Sequence, residues 1–199
     1  NLEPEESSSW ELGVDKQMGE LNLSATLFDT ELESEIDGFV YDPATFAYTS
    51  GNKEGKSQRQ GVEFTASVDT SDNLVINAAY TYTDSVEADG VGGYKDEIRR
   101  ARHTGSLNLA WQAMDNLQIN TNAQYSGSQA DTFFPPWPTP SQTVTMDDYT
   151  LININANYSA SDKLDIYLRL DNLLDDDYEE VFGYQTLGFG ASLGVRFSL

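Results

Sequence analysis

Cysteine is absent from this 199-residue chain, so it can form neither a disulfide nor a thiolate metal site. Positive charge is scarce: 11 Lys and Arg stand against 33 Asp and Glu, for a net charge of -22. That balance excludes recognition of nucleic acid through a basic patch. The only histidine is His103, and a lone His makes neither a zinc site nor a Ser-His-Asp triad. There is no nucleophile beside a base and no Gly-rich phosphate loop, and nothing singles out one carboxylate pair for glycoside hydrolysis. The expectation is a non-enzyme with no catalytic residue, no metal and no cofactor. Long apolar runs are missing too. None approaches the roughly 20 residues that a membrane helix needs. The start, Asn1-Leu2-Glu3-Pro4, is not a secretion signal, so an exported protein would carry its signal upstream.

What the chain does have is alternation. Hydrophobic residues make up 39% and mean hydropathy is -0.49, a low average that a membrane barrel tolerates, because its strands show lipid only every second residue. Leu164, Ile166, Leu168 and Leu170 alternate with Asp165, Tyr167, Arg169 and Asp171. Ala191, Leu193, Val195, Phe197 and Leu199 alternate with Ser192, Gly194, Arg196 and Ser198. A period of two gives a strand one apolar and one polar face. The same reading places strands at about Ser9 to Gln17, from Leu21, at about Lys56 to Asp69 and at Leu74 to Asp84. Three more start near Arg99, at Leu117 and before Ile152, for nine in all. In the second strand the phase slips at Phe28, which suggests either a bulge near Phe28 to Thr30 or a strand that outruns the bilayer.

Connections alternate short and long, as in a transmembrane barrel with tight turns at one end and long loops at the other. Met18-Gly19-Glu20 and Thr70 to Asn73 read as turns. Asp42 to Gly55, Val86 to Glu97 and Gln129 to Asp147 read as loops, and the four prolines between Pro135 and Pro140 forbid a central strand there. The polar rows, such as Asn153, Asn155 and Asn157, would each leave amides unpaired in a dry core, at about 1–3 kcal/mol apiece. A watery lumen inside and lipid outside resolve both faces. The expected fold is all-β: an antiparallel transmembrane β-barrel of outer-membrane type. Nine strands would leave two open edges, so residues 1–199 are expected to be the C-terminal portion of a larger barrel.

Specific residues carry a family likeness. Asn172-Leu173-Leu174-Asp175, then Tyr178-Glu179-Glu180-Val181-Phe182-Gly183-Tyr184-Gln185-Thr186, resembles the closing segment of TonB-dependent outer-membrane receptors. Trp10 to Gly13 (WELG), Gly61-Val62-Glu63 and the lead-in Asn1 to Glu6 are similar to further family motifs. The likeness is closest to the vitamin B12 (cobalamin) receptor branch. One departure is the ending Phe197-Ser198-Leu199, where the family ends in Phe or another aromatic, so the terminus is either unusual or truncated. The resemblance implies a barrel of about 22 strands, filled by an N-terminal plug domain that is absent here. It also implies residence in the bacterial outer membrane, with lipid around the barrel; the short-long alternation, read with the short turns periplasmic, puts the C-terminus in the periplasm. The implied function is uptake of a large, scarce nutrient, cobalamin first and an iron-siderophore complex second, driven by the TonB energy-coupling protein acting through the plug. The competing classes are a soluble β-sandwich carbohydrate-binding module and a passive porin-like channel.

Candidate ligand contacts are Phe133, Phe134 and Trp137 in the proline-rich loop; the alternative is that these rings pack on a neighbouring loop or on the plug. The acidic clusters Glu31 to Asp37 and Asp175 to Glu180 lack a calcium-loop pattern and read as solvated outer loops. Arg99 to His103 is expected to balance acidic groups or touch lipid headgroups, and Arg169 and Arg196 to pair with Asp165, Asp171 or Glu63.

Overall fold

The computed structural model describes residues 2–71, 73–89 and 92–198. It contains β1 (Glu6–Met18), β2 (Leu21–Glu33), β3 (Ile36–Asp42), β4 (Ala47–Asn52), β5 (Lys56–Ser71), β6 (Leu74–Ala88) and β7 (Tyr94–Asp96). Then follow β8 (His103–Met114), β9 (Leu117–Ser126), β10 (Gln129–Phe133), β11 (Gln142–Met146), β12 (Tyr149–Ser161), β13 (Leu164–Asp171) and β14 (Gly190–Phe197). No helix occurs among the described residues. Nine long strands form one antiparallel sheet in the order β1-β2-β5-β6-β8-β9-β12-β13-β14, and β7 pairs with the end of β6. The short-long alternation of connections holds throughout. Asn1 of the lead-in reading, Asp72 of the turn reading, Gly90 and Val91 of the loop reading, and Leu199 of the final-strand reading lie outside the described residues.

All substantial contacts between elements, among the described residues, join hydrogen-bonded neighbours. The sheet is therefore a single layer, and the one buried hydrophobic side chain among the described residues, Met146, lies outside it on β11. The two-layer sandwich is not what the chain builds. Pairing runs in phase across the sheet, so each row keeps to one face. Leu12, Leu27, Val62 and Tyr82 share one row of the outer face, and Ile76, Leu109, Thr121, Ile154 and Leu170 another. On the inner face Asn77, Asn108, Asn122 and Asn153 stand side by side on four strands, and the Asn122 amide donates to Asn108 at 2.8 Å.

Aromatic rings mark both ends of the apolar band: Trp10, Tyr80, Tyr82 and Tyr125 toward the loops, Trp111, Tyr158 and Phe197 toward the turns. On β8 the outward set runs from Trp111 through Leu109, Leu107 and Gly105 to His103. Eight residue steps of about 3.3 Å, tilted about 40°, give a band about 20 Å tall, near the ~25 Å of outer-membrane barrels.

Several sequence expectations need correction. No bulge occurs near Phe28: β1, β2 and β5 pair without a register shift through Glu33. Phe28 keeps the inner-face phase and lays its ring over Gly61, which has no side chain to obstruct it. The three loops are also more ordered than expected. β3 and β4 form a hairpin inside the first long connection, β10 and β11 another around the prolines, and β6 runs on to Ala88 to meet β7. The prolines themselves lie outside strands. The fifth long strand begins at His103 rather than near Arg99.

Candidate functional site

The long connections gather at one end of the sheet, where charge pairing ties them together. Lys53, just past β4, reaches Glu87 on β6 at 2.7 Å and Glu35 at 3.6 Å, and Glu87 also takes Lys95 of β7 at 3.1 Å. Burial tends to lower the Lys53 pKa, but the hydrogen bond and charges of Glu87 and Glu35 outweigh it and raise it. Arg59 grips Glu97 with two hydrogen bonds, 2.9 and 2.7 Å long. Ser85 donates to the same carboxylate, and Arg100 lies 3.5 Å away. Burial pushes Glu97 up, yet these donors and charges win and hold its pKa at about 2. Planar guanidinium-carboxylate pairs of this kind fix orientation as well as charge.

Asp131 on β10 is the second junction and has no exposed surface. Its Oδ1 accepts from Arg99 Nε at 2.9 Å and from the Thr132 amide at 2.7 Å; its Oδ2 accepts from the Phe182 amide at 2.8 Å. Burial opposes its ionisation, but the two amides and Arg99 overcome that and keep its pKa below the usual range. Three connections thus meet on one carboxylate. Nothing in the sequence marked Asp131; its partners lie 32 and 51 residues away. The expected balancing role of the basic cluster takes this form: Arg99 holds Asp131, and Arg102 bridges Asp84 at 3.4 Å and Asp96 at 2.8 Å.

The last long connection, between β13 and β14, is built by its motif residues. Asn172 and Asp175 take positive φ (47° and 52°), which Asn and Asp tolerate better than other side chains. The buried Asn172 amide donates to the Asp176 carbonyl and accepts from the Asp176 N–H, while its own N–H donates to Asn153 at 2.9 Å. Glu179 accepts from the Gly183 N–H, Thr186 donates to the Tyr178 carbonyl, and Asp175 accepts from the Phe189 N–H. Asn172, Asp175, Glu179 and Thr186 therefore each have a local backbone task.

Aromatic rings cover this end. Tyr178 packs on Tyr149 with centroids 4.5 Å apart, and Phe182 on Phe133 at 5.2 Å. Beside them an open cavity of about 390 Å³ is lined by Tyr178, Phe182, Met146, Asp147, Asp177 and Glu179, among others. Of the three aromatics expected to meet a ligand, Phe133 is 36% exposed, Phe134 76% and Trp137 92%. Phe133 packs on a neighbouring loop, whereas Phe134 and Trp137 project from the hairpin. Among the described residues no cluster of acidic or His side chains is arranged to hold a metal ion. Arg169 pairs with Asp171 at 2.8 Å as expected, but Arg196 joins no ion pair among the described residues.

Residues 1–173 match the family model described as TonB dependent receptor-like, beta-barrel. The fold is similar to the ferripyoverdine receptor of the outer membrane of Pseudomonas aeruginosa: 22% identity and a TM-score of 0.77 over 98% of this chain. It is also similar to the ferric-catecholate import receptor Fiu from K12 E. coli, at 22% identity and a TM-score of 0.74 over 98% of this chain. A third is the siderophore receptor PirA from Acinetobacter baumannii, with 20% identity and a TM-score of 0.74 over the whole chain. The chain spans 27%, 28% and 32% of the lengths of these three proteins.

Proposed function

Because the chain belongs to the TonB-dependent receptor-like β-barrel family, we propose that it is the C-terminal part of a receptor that imports an iron-siderophore complex across the bacterial outer membrane. The observation that carries this reading is the single-layer sheet with an apolar outer face, an amide-lined inner face and two open edges. Such a sheet needs lipid on one side, water on the other and further strands to close it. On this reading an N-terminal plug of the longer chain fills the barrel and meets the TonB energy-coupling protein. The C-terminus lies in the periplasm with the short turns, and the long connections face outward. Phe134 and Trp137 meet the ligand there, with Phe133 holding their hairpin against Phe182. The ion-paired network keeps the loops ordered, which lowers the entropy cost of recognition.

Iron import is favoured over cobalamin because the solved proteins named above that share this fold are a ferripyoverdine receptor, a ferric-catecholate import receptor and a siderophore receptor. Cobalamin is the second reading, favoured by the Tyr178 to Thr186 motif. Deleting the complete gene and growing the strain on single ferric siderophores under iron restriction tests the choice. Loss of growth on one or more chelates, with cobalamin-dependent growth intact, is the expected result. Loss of cobalamin-dependent growth alone would overturn the iron assignment in favour of the second reading.

A further inference from the structure

On the outer face, toward the turn end, β1, β2, β5 and β6 frame an apolar groove of about 400 Å³. Ala25, Ala66 and Ala78 form its floor, and Leu23 and Phe64 stand at its sides. Lys16 of β1 borders it, two residues before the strand ends at Met18. A lysine at this position on an apolar face can lay its methylenes along the groove and lift its ammonium to the polar boundary beyond the turn.

Charge pairing is unequal at the two ends. At the loop end the cations Lys53, Lys56, Arg59, Arg99 and Arg102 are all ion-paired. At the turn end Lys16 and Lys163 join no ion pair among the described residues, in a chain of net charge -22. An ammonium with no ion pair among the described residues, beside an apolar groove, suits an amphiphile with an anionic head. We propose that this groove is a phospholipid site: an acyl chain lies over Ala66 and Ala78, and the phosphate of an anionic headgroup meets Lys16.

The site rests on the outer-membrane reading above, and its test separates the two. The complete gene product is purified from membranes in mild detergent, and its bound lipid is measured by native mass spectrometry. Phosphatidylglycerol is titrated against phosphatidylcholine. Wild type should prefer phosphatidylglycerol. Lys16→Gln should cut that occupancy about five-fold, the effect of one basic residue at an anionic surface. Ala66→Phe fills the groove and keeps the charge, so it should lower occupancy by both lipids. Each variant must keep the heat-modifiable migration of a folded barrel. A heat-modifiable Lys16→Gln or Ala66→Phe protein with wild-type lipid occupancy overturns the site alone. Recovery of the wild-type protein in the soluble fraction overturns both readings.

Discussion

Replacing Asp131 by Ala should unlatch the loop end while leaving the sheet in place. The carboxylate is fully buried and takes three hydrogen bonds, from Arg99, Thr132 and Phe182. Truncation strands two backbone N–H groups and one guanidinium. Breaking one side of a buried charge pair costs about 3–5 kcal/mol. The Arg99 side chain is 45% exposed and can turn to water, so the lower end applies, at about 3 kcal/mol. That loss falls on local opening, because Asp131 lies in a hairpin outside the nine-stranded sheet. Amide hydrogen exchange reads it directly. The Phe182 amide should exchange about a hundred-fold faster in Asp131→Ala, since each 1.4 kcal/mol is tenfold. Amides in the middle of β8 and β9 should keep wild-type rates. Asp131→Asn retains an acceptor oxygen and should fall in between. An unchanged rate at Phe182 would refute the idea that this carboxylate joins the loops.

Four further outcomes are expected. A Cβ on Gly61 would collide with the Tyr82 carbonyl oxygen and sit 2.7 Å from the Phe28 ring, so Gly61→Ala should cost about 1–3 kcal/mol of stability through overpacking and shrink the heat-modifiable fraction. As the control for Gly61, Gly105→Ala, whose nearest contact is 3.7 Å away, should be near neutral in the same assay. Leu107→Arg on the outer face should cost about 2–4 kcal/mol of folding stability in lipid vesicles, against less than about 1 for Ser106→Arg on the inner face; equal costs would undo the assignment of the faces. The folded pKa of Glu97 is depressed from 4.5 to about 2, so its contribution, on the order of 3 kcal/mol, is fully present above pH 4.5 and lost as pH falls toward 2. Loop proteolysis should therefore steepen across that window in wild type and less in Glu97→Gln. Trp137→Ala should leave folding unchanged and reduce uptake of a growth-supporting ferric chelate about tenfold, measured with radiolabelled iron; wild-type uptake would remove Trp137 from the ligand contacts.

The nine long strands were legible because each has one face in contact with a different medium, which writes a period of two into the residues. Where that pressure is missing, the signal is missing. β3, β4, β10 and β11 form two-stranded hairpins, and β7 is a three-residue edge strand; none has two contrasting faces, and their residues read as loop. Phe28 misled for the opposite reason. It is an apolar residue on the polar face, placed there because Gly61 leaves a gap that its ring covers. The junctions at Asp131 and Glu97 had no local pattern at all, since Arg59 reaches Glu97 across 38 residues. The closing motif was recognisable but not explicable from the chain alone. Its Asn, Asp, Glu and Thr are spent on capping their own backbone.

One property makes the two-faced sheet possible, and it sits at the turns. A slip of one residue would carry the row of Asn77, Asn108, Asn122 and Asn153 into hydrocarbon and Leu109 and Ile154 into the lumen. Within the nine-stranded sheet the register does shift, between Asp69 and Ser71, between Gln112 and Met114, and between Ser159 and Ser161. All three shifts lie next to short turns, at the turn-side margin of the apolar band. An extra residue there satisfies the geometry of the turn without passing a phase change up the strand. At the loop end no such correction is needed, because the strands leave the band before their connections begin. Short turns therefore fix register and long connections are free of that duty. The latter can carry rings such as Trp137 and charges such as Asp131 without disturbing the wall beneath them.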